Sequence, residues 1–235
     1  MKERIDWSCH LLPHMREGVE TPEEAVEAIR VLTSRCGLTQ LCMTPRYDPE
    51  NEPISVFLLR RDRAKRELEA LLPPEYKLRY AAEVLLSPGL HETEGLERLC
   101  LDKTNRLPVA LPLTDYNDAI DLELNRLLFK RHLKLLLLHF ERCVALYPSS
   151  AIEKLIRIED VAVEFHYRAL TDADCCAVIR SLLRRNRTVL LGTGVDSLDS
   201  AWQLDPDLMT HSPSKGLTLD EFETLMRGAS RFLQR

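Results

Sequence analysis

The hydrophobic pattern of the chain is dominated by an apolar block that stops abruptly. Leu135-Leu136-Leu137-Leu138 runs without polar alternation and gives way to His139-Phe140-Glu141-Arg142. An apolar run of this length predicts a short strand buried on both faces. In parallel α/β sheets, sites form at the carboxyl ends of such strands, so the polar residues after the run are site candidates. The same order, a short apolar strand and then a polar stop, recurs three times. It is found at Ile5-Asp6-Trp7-Ser8-Cys9-His10, at Leu41-Cys42-Met43-Thr44-Pro45-Arg46 and at Tyr80-Ala81-Ala82-Glu83.

Helical patterns lie between these strands. Thr21-Pro22-Glu23-Glu24 predicts a helix start, with Thr21 as cap, Pro22 at the first helical position and Glu24 closing a capping box. Ala25, Ala28, Ile29 and Leu32 give its apolar stripe, and Gly37 ends it. Further helices are predicted over 55–71 and 117–131, from Ser149-Ser150, over 171–185 with Thr171 as cap, and over 218–233 with a Thr218–Glu221 capping box. Strands are predicted over 4–7, 38–43, 77–86, 134–138, 160–165 and 188–191. The apolar segment 107–113 contains Pro108 and Pro112, which lack a backbone donor and predict an edge or irregular strand. Regular alternation of strands and helices implies parallel βαβ units, hence an α/β barrel or a doubly wound sheet.

Composition narrows the function classes. The chain has 235 residues, enough to bury a substantial core. A net charge of −5 without a basic block argues against nucleic acid as the main partner. The arginines from Arg60 to Arg66 are interrupted by an acid and follow a helical pattern, which reads as a solvated face. No apolar stretch approaches a membrane span, and the first residues carry no signal-peptide core, so the expected compartment is the cytoplasm. Seven cysteines without a Cys-x-x-C pair read as buried free thiols, with Cys9 and Cys143 notable for neighbouring the site candidates.

Several motifs recur in a fixed order. Asp6-Trp7-Ser8-Cys9-His10 is followed by Leu12-Pro13, Glu17-Gly18 and Thr21-Pro22-Glu23-Glu24. Thr44-Pro45-Arg46-Tyr47, Ala81-Ala82-Glu83 and Leu138-His139-Phe140-Glu141-Arg142-Cys143 come next. In order and spacing this set resembles the polymerase-and-histidinol-phosphatase (PHP) domains. More narrowly, it resembles the bacterial tyrosine-protein phosphatases of capsule and exopolysaccharide loci, the CpsB/YwqE type. The resemblance implies a distorted (β/α)7 barrel over residues 1–235 as a single domain. It also implies a manganese cluster at the carboxyl ends of the strands, and activity on phosphotyrosines of a partner bacterial tyrosine kinase.

Departures from the family pattern fall on the metal ligands. The first His of Asp-x-His-x-His is Ser8, and the His of Thr-Pro-His is Arg46, a cation that cannot ligate a metal. The family's Ser-Asp-x-His falls on Gly192-Thr193-Gly194-Val195, with Asp196 just beyond. His10, Glu83 and His139 remain as ligand-type positions by resemblance, with Glu17 standing in for the acid of Asp-Gly. Arg142, Glu141 and Arg46 are the candidate catalytic or phosphate-holding groups. Arg46 is expected to pair with Glu83 and neutralise a pocket that has lost ions. His14, His91, His132, His166 and His211 match no ligand motif and are expected on the surface or in the core.

Two functions compete. One is a divergent metal-dependent phosphotyrosine phosphatase with a single ion on His10, Glu83 and His139. The other is a non-catalytic homologue that binds a phosphotyrosine or other anionic partner. A third chemistry, with Cys9 or Cys143 as nucleophile beside His10 or His139, has no supporting motif.

Overall fold

In the computed structural model, residues 4–102, 104–210 and 216–232 are described. His211, Leu233 and the residues before Arg4 lie outside the described residues. All described strands pair in parallel. A three-stranded sheet has the order β1-β2-β4, from Ile5–Cys9, Gln40–Met43 and Lys77–Tyr80. A six-stranded sheet has the order β3-β5-β6-β7-β8-β9, from Arg46–Tyr47, Glu83–Leu85, Arg106–Ala110, Lys134–Leu138, Val161–His166 and Val189–Gly192. The predicted strands 38–43 and 77–86 differ in detail, because each chain path crosses from one sheet to the other. Thr44-Pro45 separates β2 from β3, and Ala81-Ala82 separates β4 from β5. Backbone bonds beyond the ladders tie β1 to the segment after β9: Gly194 N donates to Ser8 O, and His10 N to Val195 O.

The leucine run forms β7 with the expected bounds. Side chains alternate across a strand, and both faces are buried. Leu135 and Leu137 join the larger apolar cluster, which includes Ala25, Ile29 and Leu32 from the helix Pro22–Cys36 (α1). Leu136 and Leu138 join a smaller cluster on the other face with Ile5, Trp7, Ala162 and Leu190. Along that face β8 continues from Ala162 to Glu164 and His166, and β9 from Leu190 to Gly192. An apolar interior thus becomes polar towards the carboxyl ends.

The segment with two prolines is not an edge strand. Arg106–Ala110 lies between β5 and β7. β5 pairs only with Val109 and Ala110, so Pro108 meets a ladder on one side alone, and Pro112 falls past the strand. One missing donor is cheap at such a position.

Helix starts follow local chemistry with two changes. Thr21 Oγ1 accepts from Glu24 N, as expected. Glu24 does not close the box on Thr21; its carboxylate accepts from Glu20 N instead. Asp172, rather than Thr171, caps the helix Ala173–Arg184, accepting from Cys175 N at 2.8 Å. Thr171 instead ends a 3-10 turn and donates to Arg168 O. The Thr218–Glu221 box is present in both directions. The arginines near Arg60 lie on the helix Ile54–Leu71 in ion pairs, with Arg60 on Glu52 and Arg63 on Glu67. Among the described residues, no helix is long and apolar enough to cross a membrane.

Candidate functional site

One rim gathers His10 and His139, which follow β1 and β7, Glu164 and His166 from the second half of β8, and Arg46 and Glu83, the first residues of β3 and β5 just past β2 and β4. Glu83 opens β5 and is fully buried. Its Oε2 lies 2.9 Å from His139 Nε2 and 3.1 Å from His10 Nε2. Its Oε1 accepts from Arg46 Nε at 3.1 Å, with Nη2 also at 3.1 Å. The other side of the guanidinium meets Glu17, so Arg46 bridges two carboxylates. Burial alone would push the Glu83 carboxyl up, but the charge and hydrogen bonds of His139 and His10 hold it well below the usual range.

His139 is the first residue after β7 and the cap of the helix Phe140–Leu146, with a left-handed φ of 55°. A non-glycine residue holds that conformation only when its surroundings fix it. Here its backbone N donates to Glu164 Oε2 at 2.8 Å while its ring binds Glu83. Glu164 is itself fully buried, and its Oε1 has no hydrogen-bond partner. Burial, with the nearby Glu141 charge, raises its carboxyl well above the usual range. Glu164 is thus pushed towards the neutral acid where Glu83 is held towards the carboxylate.

Glu141 turns towards β8 and not into the His10 group. It accepts from His166 N, and its Oε1 lies 3.2 Å from His166 Nδ1. Burial, with the His139 and Arg142 charges nearby, pushes His166 down to about 2, so its imidazole is neutral. Arg142 is exposed; its backbone N donates to His139 O, and its guanidinium makes no hydrogen bond or ion pair with any described residue. With Arg46, Glu83 and His139 it lines a cavity of about 520 Å³, whose other walls include Leu85, Leu86, Leu111, Pro112 and Ile120.

The sequence candidates thus divide. His10, Glu83 and His139 converge, with one donor atom of each within 4.8 Å of the others. Glu17 stands outside that group, on the far side of Arg46. Asp196 is exposed, and its carboxylate accepts from Ser197 and Ser200 at a helix start. Cys9 and Cys143 are buried thiols; burial pushes Cys9 well up and Cys143 to about 12, which disables both as nucleophiles. His14 is exposed beside Glu67, His91 is buried on Glu123, and His132 is exposed. Of the histidines expected to be bland, His166 joins the rim. Its signal was the alternation Ala162-Val163-Glu164-Phe165-His166, polar at every second position of an apolar strand.

A bridged set of ions does not fit these donors. Glu83 Oε1 already carries a guanidinium, position 8 offers only a hydroxyl, and Thr193 spends its N–H and hydroxyl on Asp6. One ion fits His10, Glu83 and His139 by donor type and spacing.

Fold and rim together define a parallel-stranded α/β protein with a histidine–carboxylate site at the strand ends. No family model and no curated protein matches the sequence. Among solved structures, the chain is similar to the metal-dependent tyrosine phosphatases YwqE from Bacillus subtilis and CpsB from Streptococcus pneumoniae. The TM-score is 0.61 at 17% identity, over 96% of this chain and 95% of that one. It is also similar to N-isopropylammelide isopropylaminohydrolase from Burkholderia multivorans, with a TM-score of 0.55 at 15% identity, over 96% of this chain and 72% of that one. At such identities the likeness is one of fold, and the fold is of the CpsB/YwqE kind.

Proposed function

We propose that this chain is a phosphatase-like protein whose cavity binds an aryl phosphate, a phosphotyrosine side chain by class, with arginines in place of a bridged manganese set. The observation that carries the reading is Arg46, whose guanidinium sits on the carboxylate that a bridging set would need. Apolar walls suit an aromatic ring, and the free guanidinium of Arg142 suits the phosphate, which arginine grips through two donors. On this reading multi-ion hydrolysis is lost. The domain is single over 1–235, and its barrel is of the distorted (β/α)7 type. Counting β2 with β3 and β4 with β5 as interrupted strands reduces the nine strands among the described residues to seven. A tyrosine-kinase segment as partner, a cytoplasmic setting and a role in capsule or exopolysaccharide regulation follow from the resemblance.

A second reading, a single-ion phosphotyrosine hydrolase, is favoured by the convergence of His10, Glu83 and His139. An ion there would supply Lewis-acid polarisation of a phosphoryl oxygen. His10 and His139 would have to yield their Nε2 positions to it, and Arg46 would remain beside it.

The test is calorimetric titration of a phosphotyrosine peptide into protein treated with chelator. Binding without metal is expected, weakened by about tenfold or more in Arg142→Ala, with no release of phosphate after manganese is added. Binding that requires manganese and is followed by turnover would select the second reading. No binding in either state sinks both.

A further inference from the structure

A second three-donor group meets the first at His139. His139, Glu141 and His166 each place one donor atom within 4.8 Å of the others. We propose that this group is a site for one divalent transition-metal ion of the zinc or cobalt class. Glu83 then acts on His139 as its orienting carboxylate and not as a ligand.

Hydrogen positions decide which nitrogens are free. An ionised carboxylate only accepts, so the imidazole nitrogen 2.9 Å from Glu83 Oε2 carries the hydrogen. That nitrogen is His139 Nε2, so the ring, when it gives up its second proton to a metal, offers the lone pair of Nδ1. Nδ1 is buried and has no hydrogen-bond partner, and the ring is 3% exposed. An imidazole held by a carboxylate through one nitrogen and free at the other has the habit of a metal ligand with its supporting acid.

Charge separates the two groups. A dication at Glu83 would face the Arg46 guanidinium, which already lies 3.1 Å from that carboxylate. Glu141 forms no ion pair with a lysine or arginine among the described residues; its partner is His166. The rings of His139 and His166 stand 4.5 Å apart at 67°, edge to face.

Two glycines make room for the group. A Cβ on Gly194, at φ +62°, would lie 2.3 Å from His166 Nε2, and one on Gly192 would lie 2.2 Å from Glu164 Oε1. Side chains on that loop would evict the two β8 residues from the rim. His166 Nε2 is itself buried without a partner. Two imidazoles and one carboxylate favour zinc-like ions over magnesium or calcium and leave a coordination position open.

The site needs no anion, so it stands or falls apart from the aryl-phosphate reading. Cobalt(II) is titrated into the full chain in phosphate-free buffer, and its visible absorption gives geometry and stoichiometry. His166→Gln, Glu141→Gln and His10→Gln are run beside it, each checked for fold by circular dichroism. Expected is one ion per chain, with affinity lowered by about tenfold or more in His166→Gln and Glu141→Gln and unchanged in His10→Gln. Loss in His10→Gln with binding intact in His166→Gln would move the ion to the other group and overturn the proposal. So would wild-type protein that binds no cobalt.

Discussion

Glu83, the first residue of β5, and Glu164, in the second half of β8, are fully buried and both touch His139, yet they are driven towards opposite charge states. Burial pushes each carboxyl up. Glu83 is pulled back by two imidazoles and carries a guanidinium as well; Glu164 meets a backbone N–H and has an oxygen without a partner. Depth therefore does not decide ionisation at this rim; the partners do. The β5 side is a closed ion-pair network, and the β8 side holds neutral groups and free lone pairs.

The largest expected break in that contrast is Arg46→Ala. It leaves Glu83 buried without its guanidinium, and removing one partner of a buried pair costs about 3–5 kcal/mol. Arg46 is 18% exposed, which favours the lower end. Urea denaturation reads the change, and a loss below about 0.5 kcal/mol would mean the pair is not in place.

Next comes pH. Asp6 accepts from Thr193 and Ser8, and burial pushes it up to about 6. The folded chain keeps this proton up to about pH 6, while the unfolded chain loses it near pH 4. Folded protein thus binds more protons in that window, and stability falls as pH rises through it, by at most about 1.4 kcal/mol per unit. The difference between wild type and Asp6→Asn isolates the slope; parallel profiles would contradict it. Glu83 has the opposite sign: its contribution is present above the unfolded carboxylate pKa and is lost as pH falls through its depressed folded value.

Gly194→Ala should lower stability by about 2 kcal/mol, because it strains a positive φ and drives a methyl into His166. An unchanged melting temperature would deny the close approach. The smallest effect belongs to Glu164→Gln. A side chain that already keeps its proton loses little by the exchange, so a change under about 1 kcal/mol is expected. Glu83→Gln, at equal depth, should cost several times more. Equal losses in the two variants would erase the contrast between the two sides.

Much of the fold was legible because its signals are local. The leucine run gave β7 its bounds, and the Thr218–Glu221 box was readable from two residues. Arg46 on Glu83 followed from one guanidinium replacing an imidazole opposite an acid. Non-local features were harder to read. The place of Arg106–Ala110 inside the sheet depends on how far β5 extends, which no residue of that segment states. His166 joins the rim only because distant Gly192 and Gly194 make room, and Glu24 turned to Glu20 N.

The most direct measurement of the central claim, arginine in place of a bridged metal set, is a metal count. The untagged chain would be loaded with manganese, desalted and measured by inductively coupled plasma mass spectrometry. No more than one ion per chain is expected, because Arg46 occupies the carboxylate that a second ion would share. Two or three tightly held ions per chain would contradict the claim and restore a multi-ion phosphatase.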